Sequence, residues 1–331
     1  MKPIGLTMGD PAGIGGELTL RAWLARNRPE GAAAPFIAFD DSDRLAALAR
    51  HMRYKVPLRE IVHPSEAAAA FPNALPVMPV RLVAAPRPGV PDAGNASAVI
   101  SSIETATRFA MAGEIGAVVT NPINKAALYG AGFAYPGHTE LLAALTGTSG
   151  RQVMMLVSPM LRVVPVTVHA SLRESIAMLS SPLITATART TAEALRRDFG
   201  IARPRLAIAG LNPHAGESGA LGDEEFRIIR PAIDSLRAAW EDVSGPWSPD
   251  TMFTASARSR YDVAICMYHD QGLIPLKTLD VDQGVNVTLG LPIVRTSPDH
   301  GTAYDIAGQG VANPSSLIAA LRLAAELAAR R

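Results

Sequence analysis

Short apolar runs recur along this chain, most of them followed by a longer stretch with helical spacing, and that alternation constrains the fold more than any other feature. PIGLTMG, PFIAF, RLVAA, GAVVTNP, QVMMLVS, LRVVPVTV, RLAIAGLN, DVAICMY and GVNVTLG read as strands. Gly15 to Arg26, Asn95 to Ala112, Pro182 to Phe199, Glu224 to Trp240 and Asn313 to Arg331 read as helices. Strands separated by helices are joined by crossovers, which gives an α/β protein with a largely parallel sheet. Asn95 and Asp223 are placed to cap helices, and Gly200 to end one. LVSPMLRVV reads as a hairpin around Pro159-Met160, one antiparallel excursion in the pattern. The Pro/Gly-rich APRPGVPDAGN at residues 85 to 95 reads as a loop and a possible boundary, and no fixed-period repeat is visible.

Composition excludes several classes. With 48% hydrophobic and 18% charged residues, a chain of 331 residues is too apolar for disorder and long enough for one large domain or two ordinary ones. A formal charge of +1 offers no basic footprint for nucleic acid. No apolar run reaches the ~18 residues of a membrane helix, so no membrane partner is expected. The opening MKPIGLTMGDPAG lacks a secretory apolar core, and the single cysteine, Cys266, suits a reducing compartment; both point to the cytoplasm.

Three of the seven histidines fall just past apolar strands: His169 after LRVVPVTV, His214 after RLAIAGLNP and His269 after DVAICMY. The carboxyl ends of strands in open α/β sheets are where ligands bind. Imidazoles gathered there can hold a divalent metal with positions left open. Asp270 beside His269, and Asp250 in SPDTMF, are polar company. A histidine at a strand end is more often simply hydrogen-bonded, and the spacings of 45 and 55 residues match no local zinc motif, so both readings stand on placement alone. His51 and His63 lie in polar surroundings and read as solvated. His138, with Thr139, opens an apolar-periodic helix in YPGHTELLAAL, where free N–H groups favour a cap or an anion. Lys277, Asn286 and Arg295 follow at nine-residue intervals and together suit a phosphate monoester. DPAGIGGE follows a strand but does not fit the dinucleotide fingerprint, and no P-loop is present.

TMGDPAGIGGE, TNPINKAAL, PGHTELLA, LNPHAGE, MYHDQGLIPLK and GVNVTLGLPIVRTSPDHGTAYDIAG, running from residue 7 to about 308, together resemble the 4-hydroxythreonine-4-phosphate dehydrogenase family of the vitamin B6 (pyridoxal phosphate) pathway. Gly16, where many relatives have proline, and Pro298, often valine, depart from the pattern away from the site. The resemblance implies two α/β/α domains similar to those of isocitrate and isopropylmalate dehydrogenases, with the active site in the interdomain cleft. On that basis residues 1–130 plus 285–331 form the NAD-binding domain, and residues 131–284 a metal- and dimer-forming domain. It implies His169, His214 and His269 as metal ligands (zinc, magnesium or cobalt), and a homodimer whose shared active site takes His269 from the neighbour. His138, Thr139, Lys277, Asn286 and Arg295 are implied substrate-binding residues, largely for the phosphate. HGTAYDIAGQGVANP is similar to the loop with which isopropylmalate dehydrogenases hold the adenosine end of NAD, which implicates His300, Gly301 and Asp305 in binding NAD or NADP.

The implied reaction passes hydride from a carbinol carbon to the nicotinamide, leaving a 3-oxo acid that loses CO₂. Asp250, Asp270 and Lys125 are the candidates for the general base. The competing readings are a sister dehydrogenase for D-threonate or D-erythronate 4-phosphate, one for cis-dihydrodiol carboxylates, and, from another class, a metal-dependent phosphatase.

Overall fold

The computed structural model describes residues 1–331 apart from 30, 33, 240, 241 and 281. Its described residues form two compact units: Met1–Gln152 with Leu291–Ala329 and Arg331, and Val153–Gly290 with Arg330. The changeovers fall after residues 152 and 290, where the expected ones lay near 130 and 285.

In chain order the strands are β1 (Ile4–Thr7), β2 (Phe36–Asp40), β3 (Leu58–Glu60), β4 (Leu75–Pro79), β5 (Ala117–Thr120), β6 (Val153–Val157), β7 (Arg162–Thr167), β8 (Leu206–Ala209), β9 (Val243–Trp247), β10 (Val263–Tyr268), β11 (Val285–Leu289) and β12 (Arg295–Pro298). The first unit orders its strands β3-β4-β2-β1-β5-β12, every neighbouring pair parallel. β1, β2 and β5 are buried along their whole length, as expected when helices cover both faces of a parallel sheet. The helix Ala96–Met111 lays Val99, Ile103 and Ala106 on the sheet at helical spacing. Burial of a side chain such as Ile103 contributes about 1.5–3 kcal/mol. Ser315–Ala328 buries Leu317, Leu321 and Ala324 and packs against β12 and β5.

The second unit orders its strands β11-β6-β7-β10-β8-β9. β6 and β7 form the expected hairpin, with Leu156 opposite Val163. A second antiparallel pairing, β11 with β6, was not expected. β7, β10, β8 and β9 are parallel neighbours, so their carboxyl ends share one edge. Cys266 is fully buried with Val163, Ala264, Leu273 and Leu276, where burial pushes its thiol pKa up; it is a packing residue.

Several expected elements are displaced, each for a local reason. RLVAA is not a strand. The N–H of Leu82 is taken by Asp41, and those of Val83 and Ala84 by the Asn95 side chain, so this backbone has no ladder to join. Asn95 therefore holds that loop and does not cap its helix. The strand instead falls at Leu75–Pro79, whose two prolines hide it from propensity. Asp223 pairs with Arg227, and the expected helix from Glu224 begins as a π-helical turn, Glu225–Ile229, before Arg230–Ala239; residue 240 lies outside the described residues. His269–Leu279 is a helix starting directly off β10, unforeseen because Gly272 and Pro275 lie inside it. No helix among the described residues is long and apolar enough to cross a membrane.

Ser102 ties the first sheet to its helix: its hydroxyl donates to the carbonyl of Phe39 at 2.7 Å and accepts from the N–H of Met8 at 3.0 Å. Ser102→Ala leaves two buried backbone groups without a partner, and urea unfolding should show a loss of about 1–3 kcal/mol.

Candidate active site

In the second unit, three strands deliver histidines to the shared carboxyl edge. His169 lies two residues past β7 and His269 one residue past β10. Together with Asp270, Tyr268, Leu172 and Ser175 they line a cavity of about 400 Å³. His214 follows β8 in a run of left-handed backbone, His214 to Ser218, with φ between 42° and 78°. Four of those five residues carry a Cβ, and each such residue costs about 1–2 kcal/mol in that conformation. His169 is also left-handed, at φ 55°. Strain of this kind persists only where surroundings impose it. Around His214 the buried Glu225 does so, accepting the N–H groups of Leu211 and Asn212 at 2.8 Å and the Asn212 amide at 2.9 Å.

Each of two imidazoles has a carboxylate on its Nδ1 side. Asp270 Oδ1 is 2.7 Å from His269 Nδ1, and Asp250 Oδ2 is 4.0 Å from His214 Nδ1. The His269–Asp270 contact is a hydrogen bond that can fix the ring through Nδ1, as in carboxylate–histidine–metal sites, whereas 4.0 Å is too long for one. Ser248 donates to Asp250 at 2.6 Å and, with His214 adding a smaller effect, holds its carboxyl below the ordinary aspartate range. Among the described residues no three His, Cys, Asp or Glu side chains of one chain gather as a metal requires. The implied triad of His169, His214 and His269 is thus not assembled within a single chain. His169 and His269 share a cavity, and His214 stands with Asp250.

The first unit holds a separate cluster of charge. Arg295, at the start of β12, is 4% exposed and donates through Nη2 to the Thr120 hydroxyl at the end of β5, at 2.6 Å. Burial pushes its guanidinium down to about 10, while Glu140 acts in the opposite sense. His138 is the first residue of the helix His138–Leu145, whose N-terminus has no side-chain cap. Its Nε2 is enclosed with no hydrogen-bond partner. Burial, then the charges of Arg295 and Lys125, push its pKa well below the ordinary value of 6.5. An uncapped helix start, a buried guanidinium and a lysine whose charge acts on His138 are groups suited to an anion, with Glu140 as the opposing charge.

The first unit also carries a cavity of about 490 Å³ past β1, β2 and β4, bounded in part by Glu17, Asp41, His51, Pro86 and Gly308. Gly308 belongs to the HGTAYDIAG loop. That loop is latched to the segment after β1: Ile14 donates to the Thr302 carbonyl at 3.0 Å, and Tyr304 to Asp10 at 2.8 Å.

The family model for the pyridoxal phosphate biosynthetic protein PdxA matches residues 32–324. This chain belongs to the PdxA family. A curated relative from Bradyrhizobium diazoefficiens, named 4-hydroxythreonine-4-phosphate dehydrogenase, is 53% identical and covers 100% of this chain and 98% of its own. One of the same name from Maricaulis maris is 52% identical, covering 99% and 98%. The crystal structure of the Klebsiella pneumoniae 4-hydroxythreonine-4-phosphate dehydrogenase superposes with a TM-score of 0.89 at 40% identity, covering 99% of this chain and 100% of that one.

In this PdxA-family chain the residues singled out in sequence separate by unit. His138, Thr139, Lys125 and Arg295 lie in the first, with His300, Gly301 and Asp305. Lys277, exposed near the end of the helix His269–Leu279, and Asn286 on β11 lie in the second, with the three strand-end histidines, Asp250 and Asp270. The Asn286 Oδ1 and His300 Nε2 are enclosed without partners. His51 and His63 are exposed, as read, yet each has a partner: His63 meets Glu114 at 2.8 Å, and His51 Nε2 meets the Gly308 carbonyl at 3.1 Å. Thr120, Glu140, Glu17, Tyr304 and Glu225 were not foreseen. Their signals in sequence are ordinary: burial distinguishes Thr120, Glu17 and Glu225, and contacts with Arg295 and Asp10 distinguish Glu140 and Tyr304.

The neutral His138 gives a pH signature. Its folded pKa lies below the unfolded one, so the unfolded chain binds the extra proton first as pH falls below 6.5. Its contribution to stability is therefore present above pH 6.5 and lost on acidification toward the lower folded value. Denaturation between pH 6.5 and 5 should show stability falling by up to about 1.4 kcal/mol per pH unit from this group. His138→Asn should flatten that part of the curve.

Proposed function

We propose that this chain oxidises 4-hydroxy-L-threonine 4-phosphate (4-phosphooxy-L-threonine) at its secondary alcohol and passes hydride to NAD or NADP. The 3-oxo acid formed loses CO₂ to give 3-amino-2-oxopropyl phosphate, for pyridoxine 5′-phosphate biosynthesis in the cytoplasm. Membership of the PdxA family and the names of the relatives support the substrate. The observation that carries the reading is the buried Arg295 beside an uncapped helix start and an enclosed imidazole, a donor set matched to a phosphate monoester.

The roles follow from the chemistry of each group. Arg295, His138 and Thr139 hold the phosphate, remote from the reacting carbon, so that its binding energy orients the alcohol, and Lys277 and Asn286 are proposed as further substrate-binding residues. His300, Gly301 and Asp305 belong to the cofactor's adenosine side. His169 and His214 would hold a divalent metal, zinc, magnesium or cobalt, with His269 supplied by a second copy of the chain in a homodimer. The Asp270 carboxylate bonded to His269 Nδ1 fits such a role, since it leaves Nε2 for an ion. Such an ion would supply Lewis acidity for charge developing on the substrate oxygen. Asp250 and Asp270 already stand against histidines and act by orienting them. Lys125, whose charge acts on His138, is the candidate that remains for moving the alcohol's proton.

Reduction of NAD at 340 nm with a panel of 4-phosphorylated hydroxy acids tests the reading. Turnover with 4-hydroxythreonine 4-phosphate alone supports it; preference for D-threonate or D-erythronate 4-phosphate, or release of inorganic phosphate without NADH, overturns it. Arg295→Ala should raise KM for the phosphorylated substrate roughly 30-fold or more, a buried charged contact being worth about 2–5 kcal/mol, with KM for NAD little changed. Excess chelator should stop turnover and divalent ions restore it; undiminished activity in chelator removes the metal from the reaction.

A further inference from the structure

The peptide unit that leads from β8 into the His214 loop is held from both sides by buried side chains. Its carbonyl, on Gly210, accepts from Gln271 Nε2 at 2.8 Å, and its N–H, on Leu211, donates to Glu225 Oε1 at 2.8 Å. Glu225 is fully buried and also accepts from the Asn212 N–H at 2.8 Å and from the Asn212 amide at 2.9 Å. The N–H of Gly210 donates to the Trp247 carbonyl of β9 at 2.8 Å. Gln271 lies in the first turn of the helix that His269 opens, and its side chain is likewise buried. Its Oε1 accepts the N–H of Met267, on β10, at 2.7 Å. One amide side chain therefore ties the ends of β8 and β10 together.

The loop closes over the Glu225 carboxylate. A Cβ on Gly216 would lie 2.6 Å from Glu225 Oε2, and one on Gly210 would lie 2.9 Å from the Ala215 Cα. Buried backbone groups need partners in any loop. Here the partners do more than satisfy them, because the segment they hold runs into five consecutive left-handed residues, His214 to Ser218. Such backbone relaxes unless its surroundings fix it. Glu225, from the π-helical turn that follows the loop, restrains the stem and lies under the turn. Gln271 joins that stem to the element that carries His269.

We propose that Glu225 and Gln271 are positioning residues that clamp the Gly210–Leu211 peptide and thereby set how His214 is presented to a metal. The inference rests on the reading of His214 as a metal ligand and deepens it by naming the residues that present it. Neither side chain reaches the ion; both act through the loop. Residues that orient a ligand without touching the metal typically alter its affinity by about 10–100-fold.

Two variants of the full-length chain test this. Glu225→Gln keeps one acceptor but turns an amide N–H₂ toward that of Asn212, and Gln271→Met removes both of its bonds at similar size. In the metal-free chain labelled at histidine Cε1, the His214 NMR signal is identified by its loss in His214→Ala. It should shift or broaden in both variants, while the signals of His51 and His63 in the first unit stay in place. In calorimetry with Co²⁺ alone, both variants should bind about tenfold more weakly or worse than the parent. A purely structural pair would lower the melting temperature and move neither readout. An unmoved His214 signal, or a Co²⁺ affinity equal to the parent's, in both folded variants overturns the inference; in one variant it removes that residue from it. Circular dichroism checks folding, and Gln271→Met decides if Glu225→Gln does not fold. A parent chain that binds no Co²⁺, alongside a His214 signal that moves in the variants, sinks the metal reading and leaves the clamp standing.

Discussion

Burying a polar atom without a partner costs about 1–3 kcal/mol, and the placement of such atoms organises the functional regions of this chain. His138 Nε2, Glu17 Oε2, Asn286 Oδ1 and His300 Nε2 are enclosed and unsatisfied, and each belongs to a motif past or along a sheet strand. The apolar core offers them no partner. The same rule explains the rigidity around them, because neighbouring polar groups are thoroughly bonded: Glu225 by the loop after β8, Asp10 by Tyr304, Arg44 by Asp40.

Parallel pairing places these atoms where they are. In the first unit, strands that all run the same way bring the segments after β1, β2, β4 and β5 to one edge. Gly9 shows how tightly they fit: it sits at φ 66°, and a Cβ there would lie 2.6 Å from the Cβ of Asn121. In the second unit, β7, β10 and β8 bring His169, His269 and His214 to one edge, each from a different loop. Left-handed backbone at His169 and His214 then fixes how the imidazoles are presented.

Electrostatics divides the labour. The cluster around Arg295 is cationic and keeps its histidine neutral, which suits an anionic group. The lining around Glu17 is acidic and keeps Arg44 paired with Asp40. The two polar regions of the first unit thus differ in the sign of their charge, and burial strengthens each by excluding water.

Much of this was legible in the letters. Periodicity alone identified most strands and the long helices, because a buried parallel strand is an unbroken apolar run and an amphipathic helix is not. The three strand-end histidines were visible for the same reason, and the joint set of motifs marked the family. The letters could not show RTSP as strand β12, since a four-residue run with a charge and a proline is a strand only because β5 pairs with it. They could not show that Lys277 and Asn286 belong to one unit and Arg295 to the other, despite even spacing. Nor could they distinguish Glu17 from any other helical glutamate. Local pattern is a property of neighbours in sequence, and it determined the α/β class and the candidate histidines. Enclosure and the satisfaction of each donor and acceptor depend on residues tens to hundreds of positions away, so only the tertiary structure decided which charges are buried, which are paired, and which are left to meet a ligand.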